Sequence, residues 1–178
     1  SYEEIDQEIK DATKKGELEG VKSEITDKGL VITFSEDLIF NPGSATLTPK
    51  ALAALNKVGV MITEKFVLHY IRVEGHTDNS PIMSFVFPSN WELSSARSSS
   101  IIRHLIGQFK LMPGLFTAVG YGDTRPIADN KTQAGQKRNR RVDIIILRNK
   151  FKQMENAQID LMKMSKTEQE KFQAERMQ

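Results

Sequence analysis

The sequence predicts an α+β domain with a mixed sheet, helices packed on one face of that sheet, and a helical extension at each end. Two observations predict this class. Long stretches with apolar residues at helical spacing are interleaved with short stretches in which apolar residues alternate or run together. Their order, β–α–β–α–β–β with a preceding hairpin, is typical of an α+β or mixed-sheet domain. We expect the folded domain to span residues 21–148, with helical segments at 1–20 and 149–178.

The composition is that of one folded domain with tails. Of the 178 residues, 39% are hydrophobic and 27% are charged, which is ordinary for a globular protein. The net charge of +2 is too small to argue for a nucleic-acid partner. There is no cysteine, so disulfides and thiolate metal sites are excluded. No stretch has the roughly 18 consecutive apolar residues that span a membrane, and we interpret the opening Ser-Tyr-Glu-Glu as a cut inside a longer protein.

The charge is unevenly distributed along the chain. Residues 1–20 hold seven acids and three bases (net −4), and residues 131–150 hold seven bases and one acid (net +6). Within the acidic segment, Ile5 and Ile9 are four residues apart and predict a weak amphipathic helix over 2–15.

A β-hairpin follows this helix. Val21–Thr26 and Leu30–Ser35 are short apolar runs separated by Asp-Lys-Gly, a three-residue loop that suits a hairpin turn. Residues 38–40 (Leu-Ile-Phe) then lead into Asn-Pro-Gly-Ser at 41–44, which indicates a loop.

The first long helix begins at Thr48, the expected N-cap, with Pro49 at the first helical position. Apolar residues then recur at helical spacing and should face a core. They are Leu52, Leu55, Val58, Ile62 and Phe66.

The next strand and helix contain the two most informative residues. Apolar and polar residues alternate from Ile71 to Asp78, which predicts a strand. A loop over 79–88 precedes a helix over 90–110, whose start is marked by Ser89 and Glu92 in a capping-box pattern. Its expected buried stripe consists of Trp91, Ile102, Leu105 and Phe109, with Arg97 on the flank beside Leu93 and Ile101. For Trp91 a sugar-stacking platform is the alternative to core packing.

The remaining segments predict two strands and a last helix. Residues 117–121 form a short strand, 129–139 a polar connection, and 142–147 a nearly continuous apolar run that suits a buried strand. Beyond residue 149, a helix is expected from the spacing of Phe151, Met154, Leu161 and Met164.

Asp78 and Arg97 are the residues to which the pattern gives a chemical role. A carboxylate at the end of a strand and an arginine in the second turn of the next helix can face one cleft. Such a pair suits a zwitterion, because an ammonium needs a carboxylate and a ligand carboxylate prefers the forked donors of arginine. The alternatives are that Asp78 caps its own turn and that Arg97 pairs on the surface with Glu92 or Glu74.

Nucleic-acid binding and metal binding are poorly supported. Arg140 and Arg141 lie on opposite faces of a strand start, so only one of them can point at a given cleft. The basic run over 137–141 lacks interleaved aromatic residues and is better interpreted as a solvated sheet edge. His69, His76 and His104 have no spacing that predicts a metal site. His76 is interpreted as an ordinary strand histidine, or as one that orients Asp78 by a hydrogen bond.

Catalysis is also poorly supported. The sequence contains no Gly-x-Ser-x-Gly, no cysteine nucleophile and no His-Glu-x-x-His. Serines 98–100 are interpreted as the surface of a helix, because no base accompanies them in the sequence. We therefore expect a binding protein without a cofactor.

Four stretches resemble the OmpA-like peptidoglycan-binding domain. They are 73–78 (Val-Glu-Gly-His-Thr-Asp), 87–97 (Phe-Pro-Ser-Asn-Trp-Glu-Leu-Ser-Ser-Ala-Arg), 119–130 (with Val-Gly-Tyr-Gly-Asp and Pro-Ile-Ala-Asp-Asn) and 139–142 (Asn-Arg-Arg-Val). With Phe40 to Pro49 they cover about 40–147. The Phe-Pro-Ser-Asn-Trp-Glu-Leu-Ser segment makes the sequence most similar to the C-terminal region of the MotB group of flagellar stator proteins.

The resemblance implies a site for the diaminopimelate, or another amino acid, of the peptidoglycan stem peptide. Asp78 and Arg97 would clasp this group. The full set of ligand-binding residues that the resemblance implies is Asp78, Arg97, Asn90, Arg140, Thr77, Leu93, Asn41 and Gly43. The sequence departs from the family between Asp78 and Arg97, where many relatives have Thr-Asp-x-x-Gly and a shorter loop.

The resemblance also implies a biological role. It implies a non-catalytic, periplasmic anchor of an inner-membrane stator, with peptidoglycan, a second copy of the chain, MotA-like subunits and flagellar ring proteins as partners. The alternatives are a tether between the outer membrane and peptidoglycan, a wall-modifying enzyme, and a dimerisation scaffold with a vestigial cleft.

Overall fold

The structure is a computed structural model that describes residues 1–148. It confirms the predicted α+β class with a mixed sheet. The helix expected beyond residue 149 lies outside the described residues. None of the described helices is both long enough and apolar enough to cross a bilayer.

Five helices and five strands make up the described part of the chain. In order they are α1 (Tyr2–Lys14), β1 (Val21–Ile25), β2 (Gly29–Ser35), α2 (Glu36–Ile39), α3 (Pro49–Lys65), β3 (Ile71–His76), α4 (Asn90–Phe109), β4 (Phe116–Gly120), α5 (Gln133–Asn139) and β5 (Arg141–Leu147). A single 3-10 turn, Pro113–Leu115, precedes β4.

The strands form one sheet in the order β1-β2-β5-β3-β4. All neighbouring pairs are antiparallel except β3 and β4, which are parallel. The last strand, β5, therefore lies between β2 and β3 in the middle of the sheet, which explains its continuous apolar run.

The main core lies between one face of the sheet and helices α1, α3 and α4. Alternate strand residues point into it, as the period of two requires. These are Val21, Leu30, Ile32, Phe34, Ile71, Val73, Val142, Ile144 and Ile146. From the helices, Ile5 and Ile9 of α1 are fully buried in the same core. A second, smaller apolar cluster on the other face consists of Val31, Ile145 and Leu147, with Tyr70 packed against it.

Helix starts follow the predicted signals. The Thr48 side chain accepts a hydrogen bond from the N–H of Ala51, and Pro49 occupies the first helical position. The Ser89 side chain accepts from the N–H of Trp91 and thereby caps α4.

Gly75 allows α4 to approach β3 closely. A Cβ atom at this position would clash with the carbonyl oxygen of Ser94 in the first half of α4. Gly120 of β4 has the same relation to the backbone and side chain of Ser95. These glycines bring the start of α4 next to the end of β3, and this contact sets the geometry of the site described below.

Four sequence predictions about individual elements are wrong. Ser98 and Ser100, which the sequence placed on the surface of a helix, are buried. Trp91 is 51% exposed instead of buried, because it lies at the first turn of α4 beside the loop that contains Gly122. Leu52 is also exposed. The polar connection contains the seven-residue helix α5, which Thr132 caps.

Candidate functional site

A cleft of about 470 Å³ opens between the end of β3, the start of α4 and the loop after α2. Every residue that the family resemblance implied for a ligand site lies along this cleft. Its lining includes Asn41, Gly43, Thr77, Asp78, Asn90, Leu93, Arg97 and Arg140. Glu36, Asp37, Phe40, Pro42, Ser80, Pro81 and Ile82 complete the lining.

Asp78 follows β3 and lies at one end of the cleft. One carboxylate oxygen accepts a hydrogen bond from the N–H of Ser80 at 2.7 Å, so Asp78 does cap its own turn. The other oxygen pairs with the Arg140 guanidinium, also at 2.7 Å. The preceding residue, Thr77, donates its N–H to the carbonyl of Gly122 and fixes the backbone here.

Arg97 reaches the cleft from α4 and is only 2% exposed. Its Nε donates to the carbonyl of Ser44 at 2.8 Å, and one Nη donates to the carbonyl of Asn41 at 3.4 Å. The other Nη forms an ion pair with Glu36. The guanidinium also lies over the ring of Phe40, 5.0 Å from its centre.

Glu36 and Arg140 connect these two ends into one network. The second carboxylate oxygen of Glu36 lies 3.3 Å from Nε of Arg140, whose Nη1 contacts Asp78. We call Glu36, Asp78, Arg97 and Arg140 the charge quartet. Its formal charges alternate along the chain of contacts and sum to zero.

The two halves of the charge quartet differ electrostatically. Burial raises the pKa of Glu36, and the attraction of Arg97 and Arg140 only partly opposes it. Burial likewise lowers the pKa of Arg97 despite its contact with Glu36. For this pair, the cost of removing both charges from water outweighs their attraction.

The Asp78–Arg140 pair shows the opposite balance. Burial alone would raise the pKa of Asp78, but hydrogen bonds from Arg140 and Ser80 outweigh it and lower the pKa. Burial opposes the charge of Arg140 as well, yet contact with Asp78 and the charge of Glu36 raise the pKa of Arg140. Arg140 is also the most exposed member of the charge quartet, with 29% of its side chain accessible.

The other predicted residues shape the cleft. The Asn90 side chain donates to the carbonyl of Ser80 at 3.0 Å and so ties the 79–88 loop to the start of α4. Leu93 is buried and provides an apolar wall. Gly43 has a φ of +64°, which favours glycine at this turn.

The structure corrects two sequence interpretations of charged residues. Arg97 pairs with Glu36 instead of Glu74 or Glu92. Glu36 was missed because it is 61 positions away in the chain, and its only signal is an acid directly after an apolar strand. Arg140 and Arg141 do face different sites, as predicted: Arg140 points into the cleft, and Arg141 contacts Asp143 at 3.2 Å.

His76 does not orient Asp78. Its side chain lies with Glu74 and Asp143 in a second polar cluster, where single donor atoms of the three residues lie within 4.8 Å of one another. Among the described residues, these three are close enough together that they could hold a metal ion.

Comparisons with known proteins identify relatives of this chain. A model of the OmpA family matches residues 39–140, which include most of the cleft. The chain is 35% identical to Motility protein B of Bacillus subtilis over 143 residues, covering 80% of this chain and 53% of that protein. It is 39% identical to the uncharacterized protein YtxE of the same organism over 142 residues, covering 80% of this chain and 57% of that protein.

Among solved structures, the fold is similar to the cell wall anchor of the T6SS from Pseudomonas aeruginosa. The TM-score is 0.71 and the identity 32%, over 79% of this chain and 94% of that one. The resemblance to the OmpA-like domain and to Motility protein B is thus confirmed. The chain spans only a little over half the length of the two Bacillus relatives.

Proposed function

Because the chain belongs to the OmpA family, we propose that it is a non-enzymatic domain that binds peptidoglycan through the cleft of the charge quartet. The ligand group is the zwitterionic end of a stem-peptide diamino acid such as diaminopimelate. Its ammonium pairs with Asp78 and its carboxylate with Arg97, while Arg140 and nearby backbone amides contact neighbouring carbonyl groups. The observation that carries this proposal is that Asp78 and Arg97 line the same cleft.

The internal ion pairs of the cleft are compatible with this role. A zwitterion brings one charge of each sign, so it can exchange partners with the charge quartet without leaving a net charge buried. The Asp78–Arg140 pair is partly accessible on its Arg140 side, where 29% of the side chain is exposed, so a ligand can approach it from solvent. Arg97 uses three of its five N–H donors on Glu36, Ser44 and Asn41, which leaves two for a ligand carboxylate.

Glu36 is the group that most opposes ligand binding in this cleft. It occupies the side of Arg97 on which a ligand carboxylate would compete, and the two carboxylates would repel each other. The Glu36–Arg97 contact is the half of the charge quartet in which burial outweighs attraction. We therefore expect ligand binding to displace or protonate Glu36.

At the level of the whole protein, we propose a wall anchor of a flagellar stator. The similarity to Motility protein B supports this assignment. In this proposal the domain lies in the periplasm, dimerises, and belongs to an inner-membrane protein that assembles with MotA-like channel subunits. Flagellar ring proteins are further partners in this scheme.

An anchor for another wall-attached assembly is the second candidate. The similarity to the T6SS cell wall anchor favours it, because that identity extends over most of both chains. Both candidates use the same cleft. Co-purification of the full-length protein with stator channel subunits separates them, since only the stator candidate predicts it.

Binding to insoluble peptidoglycan sacculi tests the proposed site. We expect Asp78→Ala and Arg97→Ala each to reduce the bound fraction several-fold, because one charge of the ligand loses its partner. Asp123→Ala and Arg138→Ala, which remove the same charges elsewhere on the surface, serve as matched controls.

Arg97→Ala removes one of the two arginine partners of the buried Glu36 and so changes the charge balance of the cleft. The double variant Arg97→Ala/Glu36→Ala removes one charge of each sign and repeats the test without that imbalance. Wild-type retention by Asp78→Ala and by the double variant would overturn the site. Release of soluble fragments from the sacculi by the purified domain would contradict the non-enzymatic assignment.

A further inference from the structure

The face of the sheet opposite the helices carries a polar cluster that the proposed function does not use. Glu74 and His76 are two residues apart on β3 and point away from the main core, because Val73 and Gly75 face the helices. Asp143 on β5 is the direct register partner of Glu74. Two neighbouring strands thus place two carboxylates and one imidazole together.

The distances within this cluster are too long for hydrogen bonds. Nε2 of His76 lies 3.6 Å from a carboxylate oxygen of Glu74 and 3.6 Å from one of Asp143. His76 is only 4% exposed, yet neither of its ring nitrogens has a hydrogen-bond partner among residues 1–148. Glu74 Oε1 is also buried without such a partner in this part of the chain. Buried polar atoms rarely remain unsatisfied, so the cluster is arranged for something besides its own contacts.

From these observations we propose that Glu74, His76 and Asp143 bind a divalent cation of the zinc class. Zinc takes imidazole nitrogen and carboxylate oxygen at about 2.0–2.2 Å, so neighbouring donors of a tetrahedral site lie roughly 3.3–3.6 Å apart. The two separations measured from Nε2 of His76 are at the upper end of that range, and all three donor atoms lie within 4.8 Å of one another. Three protein donors leave a fourth position for water. This inference does not depend on peptidoglycan binding.

The residues around the cluster orient two of the donors, and some of them also weaken the affinity for a cation. Thr33 donates to the other oxygen of Asp143 at 2.7 Å and orients that carboxylate. The ring of Tyr121 stacks on His76 at 5.3 Å and holds the imidazole in place. The guanidinium of Arg141 lies 3.2 Å from Asp143, and that of Arg72 lies 3.8 Å from Glu74. Their positive charge competes with a cation, so we expect weaker binding than the same three donors would give without these arginines.

A bound ion would join the central strand β5 to its neighbour β3. Because it binds the folded chain at donors that the unfolded chain does not hold together, it should raise the melting temperature. The first experiment is a zinc titration of the chelator-treated protein, followed by calorimetry and thermal melting. The expected result is one bound zinc ion per chain and a higher melting temperature.

The variants identify the donors. Loss of an outer-shell partner alone costs about ten- to hundredfold in metal affinity, so His76→Gln and Asp143→Asn should each weaken zinc binding at least tenfold. His104→Gln is the matched control, because His104 is partly buried and bonded to Asn56, away from the cluster. In the wild-type protein, the ¹⁵N resonance of the His76 Nε2 atom should shift on zinc addition. This measurement does not depend on whether any variant folds. Absence of binding, equal affinity in His76→Gln, or an unchanged His76 resonance would overturn the proposal.

Discussion

Replacing Glu36 by glutamine tests how the charge quartet controls the cleft. The substitution keeps the size and shape of the side chain and removes the charge that occupies Arg97. In the wild-type domain a ligand carboxylate has to share Arg97 with Glu36, whereas in Glu36→Gln it becomes the only carboxylate partner of that guanidinium. We therefore expect this variant to bind the stem peptide more tightly than the wild type.

The magnitude follows from the contacts of Arg97. A hydrogen bond to a charged group contributes about 1.5–3 kcal/mol, which corresponds to roughly ten- to hundredfold in affinity. Stability should change in the opposite direction. Removing one partner of a buried ion pair costs about 3–5 kcal/mol when the other charge is left uncompensated. Arg97 keeps the carbonyls of Ser44 and Asn41, and burial no longer penalises a charge at residue 36, so we expect a loss of only about 1–2 kcal/mol.

Isothermal titration calorimetry with a soluble diaminopimelate-containing stem peptide measures the affinity, and urea denaturation measures the stability. Glu17→Gln is the matched control, since Glu17 forms only an exposed pair with Lys57. Burial raises the pKa of Glu36, so wild-type affinity should also increase as the pH falls through that pKa, and this increase should be absent in Glu36→Gln. A folded Glu36→Gln domain with unchanged or weaker affinity would show that Glu36 does not compete with the ligand for Arg97.

Two further predictions concern the elements that build the cleft. The pKa of Asp78 is lowered in the folded state, so this carboxylate stabilises the fold above the ordinary aspartate value of about 3.9, and that contribution is lost as the pH falls through the folded pKa. Asp78→Asn should cost about 1–2 kcal/mol in urea denaturation at pH 7 and nothing once the wild-type carboxyl is protonated; an equal cost at both pH values would contradict this. Gly75→Ala should cost about 2 kcal/mol or more, because its Cβ meets the carbonyl of Ser94; stability within about half a kcal/mol of wild type would show that α4 moves freely.

Elements with a strong period were predictable from the sequence. The hairpin, α3, β3, α4 and β5 all lie within a few residues of their predicted bounds, because their apolar spacing agrees with the core that they enter. The predicted N-caps Thr48 and Ser89 also form.

Elements without apolar periodicity were not predictable. Helix α5 consists of Gln-Ala-Gly-Gln-Lys-Arg-Asn, and tertiary contacts hold its end in place. Its last residue, Asn139, is fully buried and bonds to the backbone at Ile127 and Ala128. The prediction that Trp91 is buried was wrong for a related reason. Helical spacing placed it on the apolar stripe, but the first turn of α4 extends beyond the core that the stripe enters.

The candidate site was only half predictable. Asp78 and Arg97 carry recognisable signals, since one ends a strand and the other follows a helix cap. The residues that pair with them carry no such signal in the sequence. Glu36 reaches Arg97 from an element 61 positions earlier in the chain, and Asp143 meets Glu74 only through the register of β5 against β3. Spacing along one segment cannot reveal either pairing, so the acid inside the cleft and the cluster around His76 both required the structure.

The most direct test of the proposed site is a crystal structure of the domain bound to a diaminopimelate-containing stem peptide. We expect the ligand ammonium to lie within hydrogen-bond distance of the Asp78 carboxylate and the ligand carboxylate to lie on the Arg97 guanidinium. Glu36 should have moved away from Arg97 or become protonated. A peptide bound outside the cleft, or bound while the Glu36–Arg97 and Asp78–Arg140 pairs both stay closed, would contradict this expectation.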